Sequence, residues 1–114
     1  MTAEQFRQLA LNLDGATESS HQGHPDFRAH GKIFATLQYP DDSWGMVKLS
    51  PPDQARLVEM QPAVFLPVKG AWGRQGCTSV RLAAAKSDVL KYALDLAWQK
   101  SAGHSKKTKR VVSK

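Results

Sequence analysis

Three histidines and one aspartate fall within residues 21–30, and their types raise the question of a metal site. His21 and His24 have the spacing of a zinc-ligand pair, with Asp26 and His30 close behind them. A zinc site needs three or four ligands in a tetrahedral array, usually supplied by a second tightly spaced pair. No such pair follows, so we expect no metal site. His24, which precedes Pro25, is expected to fix a turn through its ring nitrogens.

Cys77, the one cysteine of the chain, is a candidate nucleophile or a small core residue. A catalytic thiol needs a lowered pKa and a base within hydrogen-bonding reach, and the sequence indicates neither. The glycines of residues 70–76 lack the GxxxxGK[ST] pattern of a phosphate-binding loop. Because no acid, base and nucleophile come together, we expect a protein that is not an enzyme and carries no cofactor.

Basic and aromatic residues suggest a different chemistry, the binding of nucleic acid. If residues 44–49 and 77–82 are strands, alternation turns their aliphatic side chains toward the core. The opposite, open face then carries Trp44, Met46, Lys48, Ser79 and Arg81. Cations attract phosphates, and flat side chains stack on unpaired bases. A dimer interface can show the same mixture, so both interpretations stay open.

The elements that position these residues follow from capping signals and periodicity. Thr2 and Gln5 form a capping box for a first helix, which Gly15 is expected to end. Ser50 is predicted to cap a short central helix, and Ser87 a C-terminal one. Hairpins and strands lie between, with no βαβ alternation. We therefore predict a two-layer α+β fold, with an antiparallel sheet and the N- and C-terminal helices packed on one face.

The predicted hairpin of residues 27–37 has two possible sets of residues that face the core. His30 and Gly31 resemble a two-residue turn between residues 27–29 and 32–37, which places Phe27 opposite Phe34. Ile33, Ala35 and Leu37 nevertheless make the better core row, so periodicity leaves the inward-facing set undecided.

The positive charge is concentrated at the C-terminal end. The chain of 114 residues has 16 basic and 10 acidic residues, a formal charge of +6. Five basic residues follow residue 104, leaving 11 against 10 in residues 1–104. Residues 103–114 are polar and lack aromatic residues, so we predict a disordered basic tail that attracts phosphates after a domain of residues 1–102.

Length and composition limit the class of protein. The chain suits one domain, and its single cysteine excludes an intramolecular disulfide framework. No apolar run approaches the roughly 18 residues of a membrane span, and no secretory signal is visible. We therefore expect a cytoplasmic protein without membrane contact, and favour a monomer.

Three segments in order carry a resemblance to a known family: GHPDFRAHGKIFA at residues 23–35, VKLSP at 47–51 and VFLPVKGAWGRQG at 64–76. Nearly the whole domain resembles the MmcQ/YjbR family of small bacterial proteins. This resemblance implies a CyaY-like fold and a predicted double-wing DNA-binding role. Frataxin-like iron binding is not expected with it, because the first helix lacks the clustered carboxylates that hard metal ions need.

We therefore hypothesise that the chain is a DNA-binding protein whose two hairpins act as wings against the duplex. Its candidate contacts are Arg28, Lys32, Lys48, Trp72, Arg74 and Arg81, with Lys106, Lys107, Lys109 and Arg110 of the tail. The alternative is a non-enzymatic module that binds a small molecule or a protein through His24, Trp72 and Arg74. A third possibility is that Trp72 only braces its loop by packing.

Overall fold

The computed structural model describes residues 1–38 and 41–103 of the chain. Its helices are α1 (Ala3–Leu11), α2 (Pro51–Met60), α3 (Ala71–Arg74) and α4 (Ser87–Ser101). The strands are β1 (Thr17–His21), β2 (His24–Ala29), β3 (Lys32–Leu37), β4 (Trp44–Lys48), β5 (Phe65–Pro67) and β6 (Cys77–Arg81). A 3₁₀ turn, Leu82–Ala84, connects β6 to α4.

The strands form one antiparallel sheet in the order β1-β2-β3-β4-β6-β5. Strand β5 lies at an edge, where its short length and Pro67 limit pairing with another chain. Among the described residues, no helix is both long and apolar enough to cross a membrane.

One face of the sheet packs against the helices and forms the core. Phe6 of α1, Leu57 of α2 and Leu94 of α4 join one buried cluster with Val47 of β4 and Val80 of β6. The predicted two-layer α+β architecture, with the terminal helices on one face of an antiparallel sheet, is therefore confirmed.

A β-bulge decides which residues of the β2–β3 hairpin face the core. His30 and Gly31 have φ angles of 56° and 74°, the left-handed pair that a tight hairpin turn requires. Phe27 pairs with Ala35 and Arg28 pairs with Ile33, so Phe34 is the extra residue. Both phenylalanines and Ala35 are consequently buried. Ile33 lies on the opposite side of the sheet, because the extra residue of a bulge changes which side chains of the strand face the core.

Helix boundaries confirm some capping predictions and correct others. The Thr2–Gln5 capping box is present, and the Ser50 side chain accepts a hydrogen bond from Asp53 N. Helix α1 ends at Leu11, before Gly15, which adopts a φ of 71° in the turn toward β1. Ser87 does not cap α4: it is the first helical residue, and Lys86 occupies the capping position without a side-chain hydrogen bond.

Candidate functional site

The sheet face opposite the helices, called here the outer face, carries the predicted basic and aromatic residues. Lys48 pairs with Cys77, Met46 with Ser79, and Trp44 with Arg81 across β4 and β6. The predicted alternation of these strands is confirmed, since Val47 and Val80 lie in the core.

The centre of the outer face is more enclosed than an open sheet. Asp26, Thr36, Met46, Cys77 and Ser79 are all buried there. A cavity of about 230 Å³ opens above this region, called here the central cavity. Its floor is formed by strand residues Ile33, Thr36, Met46, Lys48 and Cys77.

Two segments from opposite edges of the sheet form the walls of the central cavity. The β1–β2 hairpin contributes His21, Gln22 and His24. Residues 68–76, called here the glycine-rich segment, contribute Val68 and Trp72. Trp72 is 63% exposed, so it does not brace its loop by burial in the protein interior. A mostly apolar depression with a few polar groups is the usual form of a ligand site.

The hydroxyl of Thr36 is the least expected polar group in the central cavity. Thr36 is only 4% exposed, and among residues 1–38 and 41–103 its Oγ1 atom has no hydrogen-bond partner. Buried hydroxyls are normally satisfied, so this atom has capacity for a bond to a bound molecule.

Cys77 is unsuited to nucleophilic chemistry. Burial raises the pKa of its thiol, although Lys48 and Lys100 act in the opposite direction. The raised pKa keeps the thiol protonated at neutral pH, and the thiolate is the nucleophilic form.

A second, more open depression of about 470 Å³ adjoins the central cavity and is called here the basic groove. Its cations are Arg28, Lys32, Lys48 and Lys100, and none of its lining residues is acidic. Lys48 and Ile33 line both the basic groove and the central cavity. A groove of this kind suits an anionic group such as a phosphate.

Asp26 fixes the position of Arg28 beside the basic groove. Its carboxylate accepts two hydrogen bonds from Arg28, of 2.8 and 3.1 Å, and a third of 2.8 Å from His21 Nδ1. These bonds, chiefly those from Arg28, lower the pKa of Asp26 despite its burial. Arg28 is thereby held in one orientation, with part of its charge neutralised.

Cations also lie over two exposed or half-buried aromatic rings. Lys48 Nζ lies 6.0 Å from the centre of the Trp72 ring, and the Arg81 guanidinium carbon lies 4.6 Å from that of Trp44. Both distances are typical of cation–π contact. Lys48 and Trp44 are at opposite ends of β4, about 13 Å apart at the usual rise per residue.

The glycine-rich segment is held by close backbone contacts. A Cβ atom on Gly73 would lie 1.7 Å from the carbonyl oxygen of Val68, and one on Gly76 would lie 1.8 Å from that of Leu49. The Gln54 side chain donates hydrogen bonds of 2.9 and 3.0 Å to the carbonyls of Gly73 and Cys77. Trp72 is therefore presented from a closely packed turn.

The structure brings some of the predicted site residues together and separates others. Arg28, Lys32 and Lys48 line the basic groove, while His24 and Trp72 line the central cavity. Arg81 lies with Trp44 at the far end of β4, and Arg74 lines neither depression. The tail residues Lys106, Lys107, Lys109 and Arg110 lie outside the described residues.

The fold separates His30 from the other two histidines considered as metal ligands, whereas His21 and His24 are neighbours across β1 and β2. His21 hydrogen bonds to Asp26, whereas His30 contacts Ser101 and the Trp98 ring at the end of α4. Within the described part of the chain, no three His, Cys, Asp or Glu residues are grouped to hold a metal ion.

Thr36, Lys100 and His21 are among the residues of the two depressions that sequence reasoning missed. Thr36 comes from β3 and Lys100 from α4. His21 of β1 donates a side-chain hydrogen bond to Asp26 of β2. The polar Thr36 within the otherwise apolar run IFATL was a signal in the sequence. The position of Lys100 depended on the docking of α4.

These features define a small α+β protein with a ligand-sized cavity on the sheet face opposite its helices and a basic groove between that face and the end of α4. A family model described as YjbR matches residues 11–100, so the chain belongs to the YjbR family. This membership confirms the resemblance carried by the three sequence segments.

A solved structure has the same fold. The crystal structure of Deinococcus radiodurans protein DR2400, with a domain described as DUF419, matches with a TM-score of 0.74 and 14% sequence identity. The match covers 93% of this chain and 82% of that chain. No curated protein matches the sequence.

Proposed function

We propose that this protein is a non-enzymatic DNA-binding protein that uses the outer face of its sheet and the adjoining basic groove. The carrying observation is the basic groove, in which Arg28, Lys32, Lys48 and Lys100 meet without a lining carboxylate. Such a cluster attracts the phosphate backbone whatever the base sequence.

The distribution of acidic residues supports this assignment. On the described strands, Asp26 is the only acidic residue of the outer face, and it is already bonded to Arg28 and His21. Glu18 of β1 lies on the helix side, where it pairs with Arg7 of α1. The outer face therefore offers phosphates little repulsion.

The hairpins have different parts in this proposal. The β1–β2 tip at Gln22 stands at the wall of the central cavity, where it can act as a wing against a duplex. The β2–β3 tip is held against α4 through His30. Arg81, Arg74 and the basic tail would add phosphate contacts outside the groove.

A charge-matched pair of variants tests the proposal. Binding of a labelled duplex to the full chain is measured by fluorescence anisotropy between about 50 and 200 mM salt. Affinity is expected to fall about tenfold or more over this range. Lys48→Gln should weaken binding several-fold and lower the slope of log affinity against log salt by about one.

Lys91→Gln is the control, because Lys91 is an exposed lysine of α4 that lines neither depression. It should leave the affinity unchanged. Undetectable binding at low salt, salt-independent binding, or equal weakening by the two variants would contradict the proposal.

The second candidate function is the binding of a small molecule in the central cavity. Its support is the buried Thr36 hydroxyl together with His24 and Trp72 at the same depression. Arg74 has no part in it, so Lys48 replaces Arg74 as the cation of this site. A ligand that stabilises the protein against heat, while leaving DNA affinity unaltered, would favour this candidate.

A further inference from the structure

The central cavity and the basic groove form one composite depression with two chemical halves. They share Lys48 and Ile33 as lining residues, so the two depressions are neighbours that meet at these side chains. The first half is mainly apolar with an aromatic wall, and the second is lined by four cations. A ligand that fits both halves is flat and uncharged at one end and anionic at the other.

The central cavity has the size of a single heterocycle. Its volume is about 230 Å³. A cavity of about 150 Å³ holds benzene, whereas sites for drug-sized ligands span roughly 300–1,000 Å³. The cavity is therefore suited to one ring system rather than to an extended molecule.

Trp72 and Thr36 supply the contacts that a nucleobase requires. Trp72, at the wall, is 63% exposed, and a flat ring of this kind is a partner on which a base can stack. Thr36 Oγ1 lies in the floor and is buried, with no partner within the described residues. Its hydroxyl can donate to or accept from the edge of a base.

Lys48 joins the two halves of the site. Its Nζ atom lies 6.0 Å from the centre of the Trp72 ring, so an anion that it holds lies beside a ring stacked on Trp72. Arg28, held by its two bonds to Asp26, and Lys32 extend the positive charge away from the cavity.

We propose that the composite depression binds one nucleotide, with its base in the central cavity and its phosphate in the basic groove. The nucleotide is either an unstacked residue of a single strand or a free mononucleotide. This inference rests on the proposed function, because that function supplies nucleic acid as the ligand. It adds that the protein contacts unpaired bases.

The test separates base contacts from phosphate contacts in the full-length protein. The probes are a labelled single strand of about ten nucleotides, the same strand with abasic sites, its duplex, and 2′-deoxyadenosine 5′-monophosphate. Trp72→Ala should lower the affinity for the base-containing strand about tenfold, and Thr36→Val should lower it about fivefold. Neither should change the affinity for the abasic strand, whereas Lys48→Gln should weaken both strands.

Matched variants guard against loss of folding. Thr36→Val keeps the shape of the side chain and removes no hydrogen bond within residues 1–38 and 41–103. Tyr92→Ala removes an exposed aromatic ring from α4 and should bind every probe as the wild type does. Thermal melting of each variant establishes that it is folded.

The outcomes distinguish the source of the nucleotide and the two proposals. Monophosphate binding that needs Trp72 and Thr36 assigns a free nucleotide, and binding of the strand alone assigns single-stranded nucleic acid. The inference is overturned if Trp72→Ala and Thr36→Val bind all probes as the wild type does, or if the duplex binds and neither the strand nor the monophosphate does. In that last case the DNA-binding proposal survives.

Discussion

Asp26 shows at the residue scale how one buried group organises a surface. It is fully buried, yet it stays ionised because Arg28 and His21 donate three hydrogen bonds to it. The order that it imposes on Arg28 reaches the basic groove, since Arg28 is one of the four cations there. A cation of the groove is thus positioned by a carboxylate that itself lines neither depression.

Asp26→Asn is expected to lower the free energy of unfolding at neutral pH by about 1–3 kcal/mol, because charge-assisted bonds are lost at a buried site. The folded pKa of Asp26 lies below its unfolded value of about 3.9. Its stabilising effect is therefore present above about pH 4 and is lost as pH falls through the folded pKa.

Urea unfolding of both proteins at neutral pH and below about pH 4 measures this difference. The difference in free energy of unfolding between the wild type and Asp26→Asn should become smaller at the lower pH. Glu59→Gln, at an exposed position of α2, should stay within about 0.5 kcal/mol of the wild type. A gap of the same size at both pH values would contradict the assignment.

At the scale of elements, the site depends on two departures from regular structure. The bulge at Phe34 turns Ile33 toward the outer face, where it lines both depressions. The close turn at Gly73 and Gly76 brings Trp72 to the cavity wall. Regular strands and an open loop would provide neither residue.

Gly73→Ala is expected to lower the free energy of unfolding by about 3 kcal/mol, because its Cβ meets a backbone carbonyl, which cannot rotate away. Gly15→Ala is the control: its Cβ meets nothing within 4 Å, although its φ is 71°. That variant should lose about 1 kcal/mol from the left-handed conformation alone. Equal losses in denaturant titrations would show that the Val68 contact does not determine the turn.

The whole molecule divides its charge between a nearly neutral domain and a basic end. Residues 1–104 hold 11 basic and 10 acidic residues, yet the acids are largely absent from the outer-face strands. A low net charge in the domain is therefore compatible with a locally positive surface, because the fold sorts the signs onto different sides.

Removal of residues 104–114 should weaken duplex binding and its salt dependence without abolishing either, because the basic groove remains. A chain with Lys106, Lys107, Lys109 and Arg110 all replaced by glutamine should match the truncated protein. Anisotropy titrations measure the affinities, and melting temperatures should agree with the wild type. Complete loss of binding on truncation would place the DNA-binding function in the tail rather than in the sheet.

The fold class, most of the elements and the residues on each face of β4 and β6 could be predicted from the sequence. These depend on local periodicity, capping and turn signals, which are encoded in neighbouring residues. His24, Lys48 and Trp72 were also recognisable as site candidates from residue type and family pattern.

Which of those candidates lie close together depends on how the elements pack in three dimensions. Thr36, Lys48, Trp72 and Lys100 come from four different elements, and their convergence depends on the bulge in β3, the turn at Gly73 and the docking of α4. The same packing places Arg74 and Arg81 outside both depressions. Local sequence signals fix the direction of a side chain within its own element, but distances between elements are set by the packing of the whole core.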